Sequence, residues 1–364
     1  MKYGYFLKRL ALIPITLFGI IALNFALVQF VPGGPVEQMM LRIDGAPGSA
    51  TARISGSGAG DTLSASSARD GVYRGGRGLR DEIRQELEHR FGFDKPATTR
   101  FWEMLTRYLR FDFGTSFYQD KTVIRLILEK MPVSISLGVF STLLIYLLAI
   151  PLGIRKAVRA GTPFDQATSW ALTISYAVPS FLLAIFLVII FAGGRYLQWF
   201  PLRGLVSDNW DELNWFAKIT DYLHHLVLPV LALAIGGIAG LAFLTKNAFL
   251  DELGKAYCRT AVAKGLSRRR ILYGHVFRNA MLIVIAGFPA MLIGMLFTGS
   301  VLIEVIFSLD GLGLLGFEAV QNRDYPVVFG TLYLFALLGL VLNILNDFVY
   351  TLVDPRIHFG KRLQ

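Results

Sequence analysis

Lys255-Ala256-Tyr257-Cys258-Arg259-Thr260-Ala261-Val262-Ala263-Lys264-Gly265-Leu266-Ser267-Arg268-Arg269-Arg270-Ile271, running on to Asn279, is a basic, polar island between two apolar stretches, Leu226 to Thr245 and Ala280 to Ile303. Each flank, at ~20 residues, is long enough to cross the hydrocarbon of a bilayer as a helix. Leu10 to Val31, Val133 to Ile154, Gln166 to Ala192 and Val327 to Val353 repeat the pattern, so the sequence predicts an all-α membrane protein with six spans. Composition agrees: 54% of the 364 residues are hydrophobic and 17% charged, with a mean hydropathy of +0.52, too apolar for an ordinary soluble domain.

Basic residues in the short connections set the expected orientation. Lys2, Lys8 and Arg9; Arg155, Lys156 and Arg159; Lys246, Lys255, Arg259, Lys264, Arg268, Arg269, Arg270 and Arg278; and Arg356, Lys361 and Arg362 fall on one side, which is then cytoplasmic. The opposite connection from Glu304 to Pro326 carries four acids against Arg323 alone. Both termini are therefore expected inside. The net charge of +10 follows from this inside bias and from contact with anionic lipid, and calls for no nucleic acid. Asp347 is the only acid or base within the six windows, and a polar contact to a neighbouring helix near the cytoplasmic side accounts for it. Cys258 is the only cysteine, so no intrachain disulfide and no cysteine metal cluster are expected. His89, His224, His225, His275 and His358 show no paired ligand spacing.

Along the chain, residues 1–31 read as a cytoplasmic tip and a retained first span, too long for a signal core and without a small-x-small cleavage site. Residues 32–132 read as a periplasmic region containing an insert, 43–80, with 9 Gly, 6 Ser and 6 Ala in 38 residues. Such a segment has little apolar surface to offset its ordering entropy and is expected to be flexible. After it, Ile83, Leu87 and Phe91 share one helical face and Phe101, Leu105, Tyr108 and Leu109 another. Val123 to Met131 mixes charge with apolar residues as an interfacial segment does. Gly193 to His225, with three tryptophans, reads as a second periplasmic loop. Residues 133–353 form the predicted core with a cytoplasmic loop at 246–279, and 354–364 a cytoplasmic tail.

Within the island, apolar or small residues recur at Leu253, Tyr257, Thr260 or Ala261 and Leu266, while Glu252, Lys255 and Arg259 point elsewhere, which predicts a short amphipathic helix. Gly265 is placed to end it in a left-handed conformation. Ala261, Ala263 and Gly265 let the backbone sit close inside a partner's groove, and Ser267 is placed to cap a second helix. A phosphate-binding Gly-x-x-x-x-Gly-Lys-[Ser/Thr] run is missing, since neither Gly254-Lys255 nor Gly360-Lys361 has the preceding glycine. No catalytic constellation of Ser/His or paired carboxylates lies within the spans.

Arg259 to Leu266 resembles the loop with which permease subunits of bacterial ATP-driven importers dock onto their ATPase, in the variant carried by the dipeptide and oligopeptide permease family. Leu7-Lys8-Arg9-Leu10, Phe30-Val31-Pro32-Gly33-Gly34-Pro35, Phe91-Gly92-Phe93-Asp94-Lys95-Pro96, Phe113-Gly114-Thr115-Ser116, Arg278-Asn279, Gly311-Leu312-Gly313, Asp324-Tyr325-Pro326 and Asp354-Pro355-Arg356 match that family in order. Gly33-Gly34-Pro35 with the long insert is most similar to the Yej-type branch, which imports peptides and microcin C. The chain departs from the broad importer motif at Arg259-Thr260-Ala261 and His275-Val276-Phe277-Arg278, as the peptide branch does. The resemblance implies a six-helix type I importer permease, not an enzyme. It also implies a second, similar permease, ATPase domains that bind the ATP and magnesium, a periplasmic peptide-binding protein and a peptide substrate, with no cofactor in this chain. Arg259, Thr260, Ala261, Ala263, Lys264, Gly265 and Leu266 would then couple to the ATPase. Glu304, Phe307, Gly311, Gly313, Asp324, Tyr325 and Pro326 would lie near the periplasmic gate. An intramembrane enzyme and an ATP-independent channel are the rival classes.

Overall fold

The computed structural model describes residues 2–30, 95–194, 196–297 and 301–353. The insert at 43–80, the pattern through Ile83, Leu87 and Phe91, and Asp354-Pro355-Arg356 lie outside them. The described chain is helical, with a single isolated bridge between Thr115 and Thr122. Its elements in order are α1 (Lys2–Phe30), α2 (Ala97–Leu109), α3 (Val123–Val158), α4 (Pro163–Ala177), α5 (Ser180–Phe191), α6 (Trp215–Leu253), α7 (Ala256–Ala263), α8 (Arg268–Ile271), a π-helical turn (Leu272–Val276), α9 (Phe277–Phe297), α10 (Val301–Ile306), α11 (Leu312–Gln321) and α12 (Tyr325–Val353).

Five of these stretches are long and apolar enough to cross a membrane: Arg9–Leu27, Val123–Val158, Trp215–Leu253, Arg268–Leu292 and Tyr325–Val349. The stretch expected as one span from Gln166 to Ala192 is instead two helices, α4 and α5, bent by 98°. The cause is Pro179, which pushes Val178 out of the helical region to φ −80°, ψ 120° and ends α4 one residue earlier. Counting the bent pair as a span gives six. Val123 to Met131, whose pattern suits the membrane interface, forms the first turns of α3, which continues through Pro132. The stretch expected to cross from Ala280 to Ile303 ends as a helix at Phe297, and Ile303 and Glu304 sit on the separate short helix α10. The tryptophan-bearing connection closes at Asn214, whose side chain accepts the Ala217 N–H at 2.8 Å and caps α6.

Contact density divides the chain into two units: Met1–Leu10, Lys130–Leu315 and Leu338–Gln364 in the first, Ala11–Glu129 and Gly316–Leu337 in the second. In the first unit α3 and α6 approach closely. A Cβ on Gly153 would fall 2.6 Å from Thr245 Cβ and 2.7 Å from the Ala242 carbonyl oxygen. Ala234, Ala239 and Ala242 are fully buried there, the small-residue contact that membrane helices use in place of a hydrophobic driving force. Asp347 pairs with Arg9, the polar contact between helices that the sequence suggested. In the second unit, Tyr108 of α2 joins Phe113 and Tyr333 with ring centroids 5.1–5.6 Å apart, aromatic packing that buries Tyr108. Leu109, expected on the same face, is exposed.

Candidate functional site

The polar island folds as α7, α8 and the turns around them. Gly254 ends α6, and Lys255 is extended (φ −73°, ψ 151°) before α7 begins at Ala256. Glu252, in the last turn of α6, holds the junction: it accepts the Tyr257 hydroxyl at 2.7 Å and pairs with Lys255. Cys258 and Ala261 turn inward, 3% and 8% exposed. With Leu253, Tyr257 and Leu266 they pack on a core that includes Phe249, Ile271 and Val276.

The end of α7 is closed by backbone alone. Gly265 N–H donates to the Val262 carbonyl at 2.9 Å and Leu266 N–H to the Ala261 carbonyl at 3.2 Å, with Gly265 at φ +75°. These are the two bonds of a Schellman motif, which needs one left-handed residue directly after the cap. Leu266, half-buried, supplies the apolar anchor that accompanies it. Ser267 stands at the N-cap of α8, but its side chain makes no cap bond; its extended backbone alone starts the helix.

As a result Arg259, Thr260, Val262, Ala263, Lys264 and Gly265 form one exposed ridge, with Val262 64% exposed. Ala261 is not on it. Expected to ease close approach by a partner, Ala261 instead anchors α7 to its own core because it faces the Cys258 side. Beside the ridge lies a cleft of about 460 Å³ lined by Val158, Leu253, Cys258, Val262, Leu266, Ile271 and Leu272 with the arginines Arg259 and Arg268.

A charged cluster that the sequence did not reveal joins α3, α4 and α6. Lys156, fully buried at the end of α3, donates to the Asp165 carbonyl at 2.9 Å, to Thr168 Oγ1 at 2.9 Å and to Ser169 Oγ at 2.7 Å. Its Nζ also lies 3.1 Å from the Asp165 carboxylate. Lys246 of α6 reaches both oxygens of the same carboxylate at 2.8 Å. The available signal was weak: three charges stand just outside three apolar stretches, and only Lys156 and Lys246 enter the count, as inside-positive flanks.

The residues expected near the periplasmic gate divide between the units. In the first, Glu304, Phe307, Gly311 and Gly313 come together. The Glu304 carboxylate caps α11, accepting the Leu314 N–H at 2.6 Å with the Gly313 N–H also directed at it. Ser134 of α3 accepts the Leu312 N–H at 2.9 Å. Glu304 is fully buried, and this burial pushes its carboxyl above the usual range against the opposing pull of the two N–H groups. Phe307 is buried in the apolar cluster below. In the second unit Asp324 accepts from Ser116 Oγ at 2.5 Å and from the Phe117 N–H at 3.2 Å, and the Tyr118 hydroxyl donates to the Asn322 carbonyl at 2.5 Å. Phe113 to Ser116 and Asp324, more than 200 residues apart, thus make one structure. Tyr325 stacks on Phe329 with Pro326 following it in the first turn of α12.

Residues 149–359 match the family described as binding-protein-dependent transport system inner membrane component. Across 99% of the chain and 100% of the relative, the sequence is 56% identical to the inner membrane ABC transporter permease protein YejB of Escherichia coli O157:H7. It is 55% identical, over 99% of both chains, to the peptidoglycan transport system permease protein YejB of Agrobacterium fabrum. It is 32% identical to the oligopeptide transport system permease protein AppB of Bacillus subtilis, over 98% of this chain and 99% of that one. A solved structure of the MetNI methionine ABC transporter in inward-facing conformations aligns with a TM-score of 0.47 and 15% identity, over 64% of this chain and 97% of that one. Match and relatives span the exposed ridge, the buried charge cluster and the Glu304 cap together, and the chain belongs to the binding-protein-dependent transport system inner membrane component family.

Proposed function

We propose that this chain is the permease half of an ATP-driven importer of short peptides, paired with a second, similar permease. ATP and magnesium are bound by a separate ATPase, and peptide arrives on a periplasmic binding protein. The observation that carries the reading is the ridge from Arg259 to Gly265. It is a helix with a fixed end, anchored inward by Cys258, Ala261 and Leu266 and exposed outward. A rigid ridge of this kind transmits force from a partner, whereas a loop that only meets lipid needs charge and no defined helix end. Peptide as the cargo is favoured by the names of the relatives, which give oligopeptide in one case and peptidoglycan, whose stems are peptides, in another.

The test is reconstitution in liposomes of the full chain with its partner permease, ATPase and binding protein. Labelled short peptide is expected to accumulate only with ATP and with all components present. Uptake without the ATPase would replace this reading with that of a channel.

The same reading places both termini and the ridge in the cytoplasm and residues 32–132 in the periplasm, as the basic-residue distribution requires. With Cys258 replaced by Ala, a cysteine at Thr99 is expected to react with an impermeant reagent added outside intact cells. One at Ser267 is expected to react only after permeabilisation. Both positions are exposed, so the reversed pattern would invert the topology.

A further inference from the structure

The segment that carries the ridge is tied at both ends to the last turn of α3. At its start, Lys246 lies on α6 less than two turns before Leu253, and its ammonium shares the Asp165 carboxylate with Lys156 of α3. At its finish, Arg268 donates to the carbonyl of Val158, the last residue of α3, at 3.2 Å.

Lys156 holds α4 at three successive points, the carbonyl of Asp165 and the hydroxyls of Thr168 and Ser169, and lies 5.5 Å from the centre of the Phe243 ring of α6. Asp165 is fixed in turn by the Gly161 N–H at 3.1 Å. Side chains of this cluster are between 0% and 17% exposed.

Stability alone is a poor reason for such a cluster. Two ammonium groups share one largely buried carboxylate, and buried ion pairs of this kind are matched or bettered by apolar side chains of similar volume. What the ions add is direction. Apolar helix faces can slide over one another, while a lysine with all three of its N–H groups directed at fixed acceptors, beside a paired carboxylate, fixes both the spacing and the rotation of the helices it joins.

We infer that Lys156, Asp165 and Lys246 are positioning residues that make α3, α4 and α6 move as one body when the ridge is displaced. The inference rests on the coupling role proposed above for Arg259 to Gly265. The cluster locks the near ends of three helices to the start of the segment, and Arg268 locks its finish to the same turn of α3. Without the cluster the ridge still docks, but its displacement is absorbed by slippage of α6 against α3 and α4.

The experiment uses the complete reconstituted complex and reads the number of peptides taken up per ATP hydrolysed. Lys246→Met is the informative change, because Lys156 remains to pair with Asp165 and Lys246 is the more accessible of the two lysines. The ratio is expected to fall about tenfold, the scale of coupling between distant sites, with the ATPase still co-purifying, and Lys246→Arg is expected to keep most of it. An unchanged ratio in Lys246→Met would overturn the inference. So would loss of the chain from the membrane or from its partners in both Lys246→Met and Thr168→Val, since the cluster would then be a folding element only. Gly265→Val, measured in parallel, separates the two readings: if it too is unaffected the coupling role itself fails. If it alone loses uptake, only the cluster's part is wrong.

Discussion

Gly265→Val is expected to abolish peptide uptake while leaving membrane insertion and pairing with the second permease intact. The residue stands at φ +75°, where a side chain with a Cβ carries strain of about 1 kcal/mol or more and a β-branched one is least tolerated. Nothing lies within 4 Å of the Cβ that would be added, so no clash within this chain contributes, and the strain falls on the backbone. The last turn of α7 responds by giving up the bonds from Gly265 to Val262 and from Leu266 to Ala261. Lys264, Ala263 and Val262 then leave the ridge on which the proposed coupling role depends. Gly265→Asn separates this account from one based on volume, because asparagine accepts the left-handed region. It is expected to retain uptake, and loss of uptake in both variants would show that any side chain at the position blocks docking. Wild-type uptake and peptide-stimulated hydrolysis in Gly265→Val, set beside a Ser267→Ala control, would remove the assignment of the ridge.

The second large effect is expected at Gly311. A Cβ there would stand 2.6 Å from both Cδ and Oε1 of Glu304, closer than real contacts allow. Glu304 has no open side to move into, being fully buried. Gly311→Ala therefore drives the carboxyl off the Leu314 and Gly313 N–H groups and leaves the start of α11 uncapped around a buried acid. Overpacking and the loss of a buried hydrogen-bond partner together cost about 3 kcal/mol or more. The measurement is the thermal unfolding midpoint in detergent, together with uptake, against Gly316→Ala, where nothing lies within 4 Å of the added carbon. A large fall in midpoint for Gly311→Ala and little change for Gly316→Ala is the expected pair. Equal midpoints would mean that Glu304 is free to rearrange and that its cap is not what holds this turn.

Much of this protein was legible along the chain because the controlling physics is local. Twenty apolar residues in a row have few states open to them in a bilayer except a helix. A glycine at the end of a short amphipathic run marks the helix stop whatever surrounds it, and Gly265 took up the left-handed conformation its position implied. The bend at Pro179 was also within reach: the proline is written in the sequence, but a uniformly apolar window hid a break that the residue before it had to make.

Tertiary structure alone decided which charges share a site. Lys156 and Lys246 count only towards the inside-positive bias and Asp165 draws no reading at all, and their meeting depends on how α3, α4 and α6 pack. The same holds for Ser116 and Asp324, and for the Glu304 carboxylate at the start of α11. It also holds for Ala261, whose small side chain suited a partner's groove and a neighbouring core equally well until α7 was oriented. A carboxylate fixes its own charge by its chemistry, but the partner that charge meets is fixed by packing among helices far apart in the chain, and no local pattern records that choice.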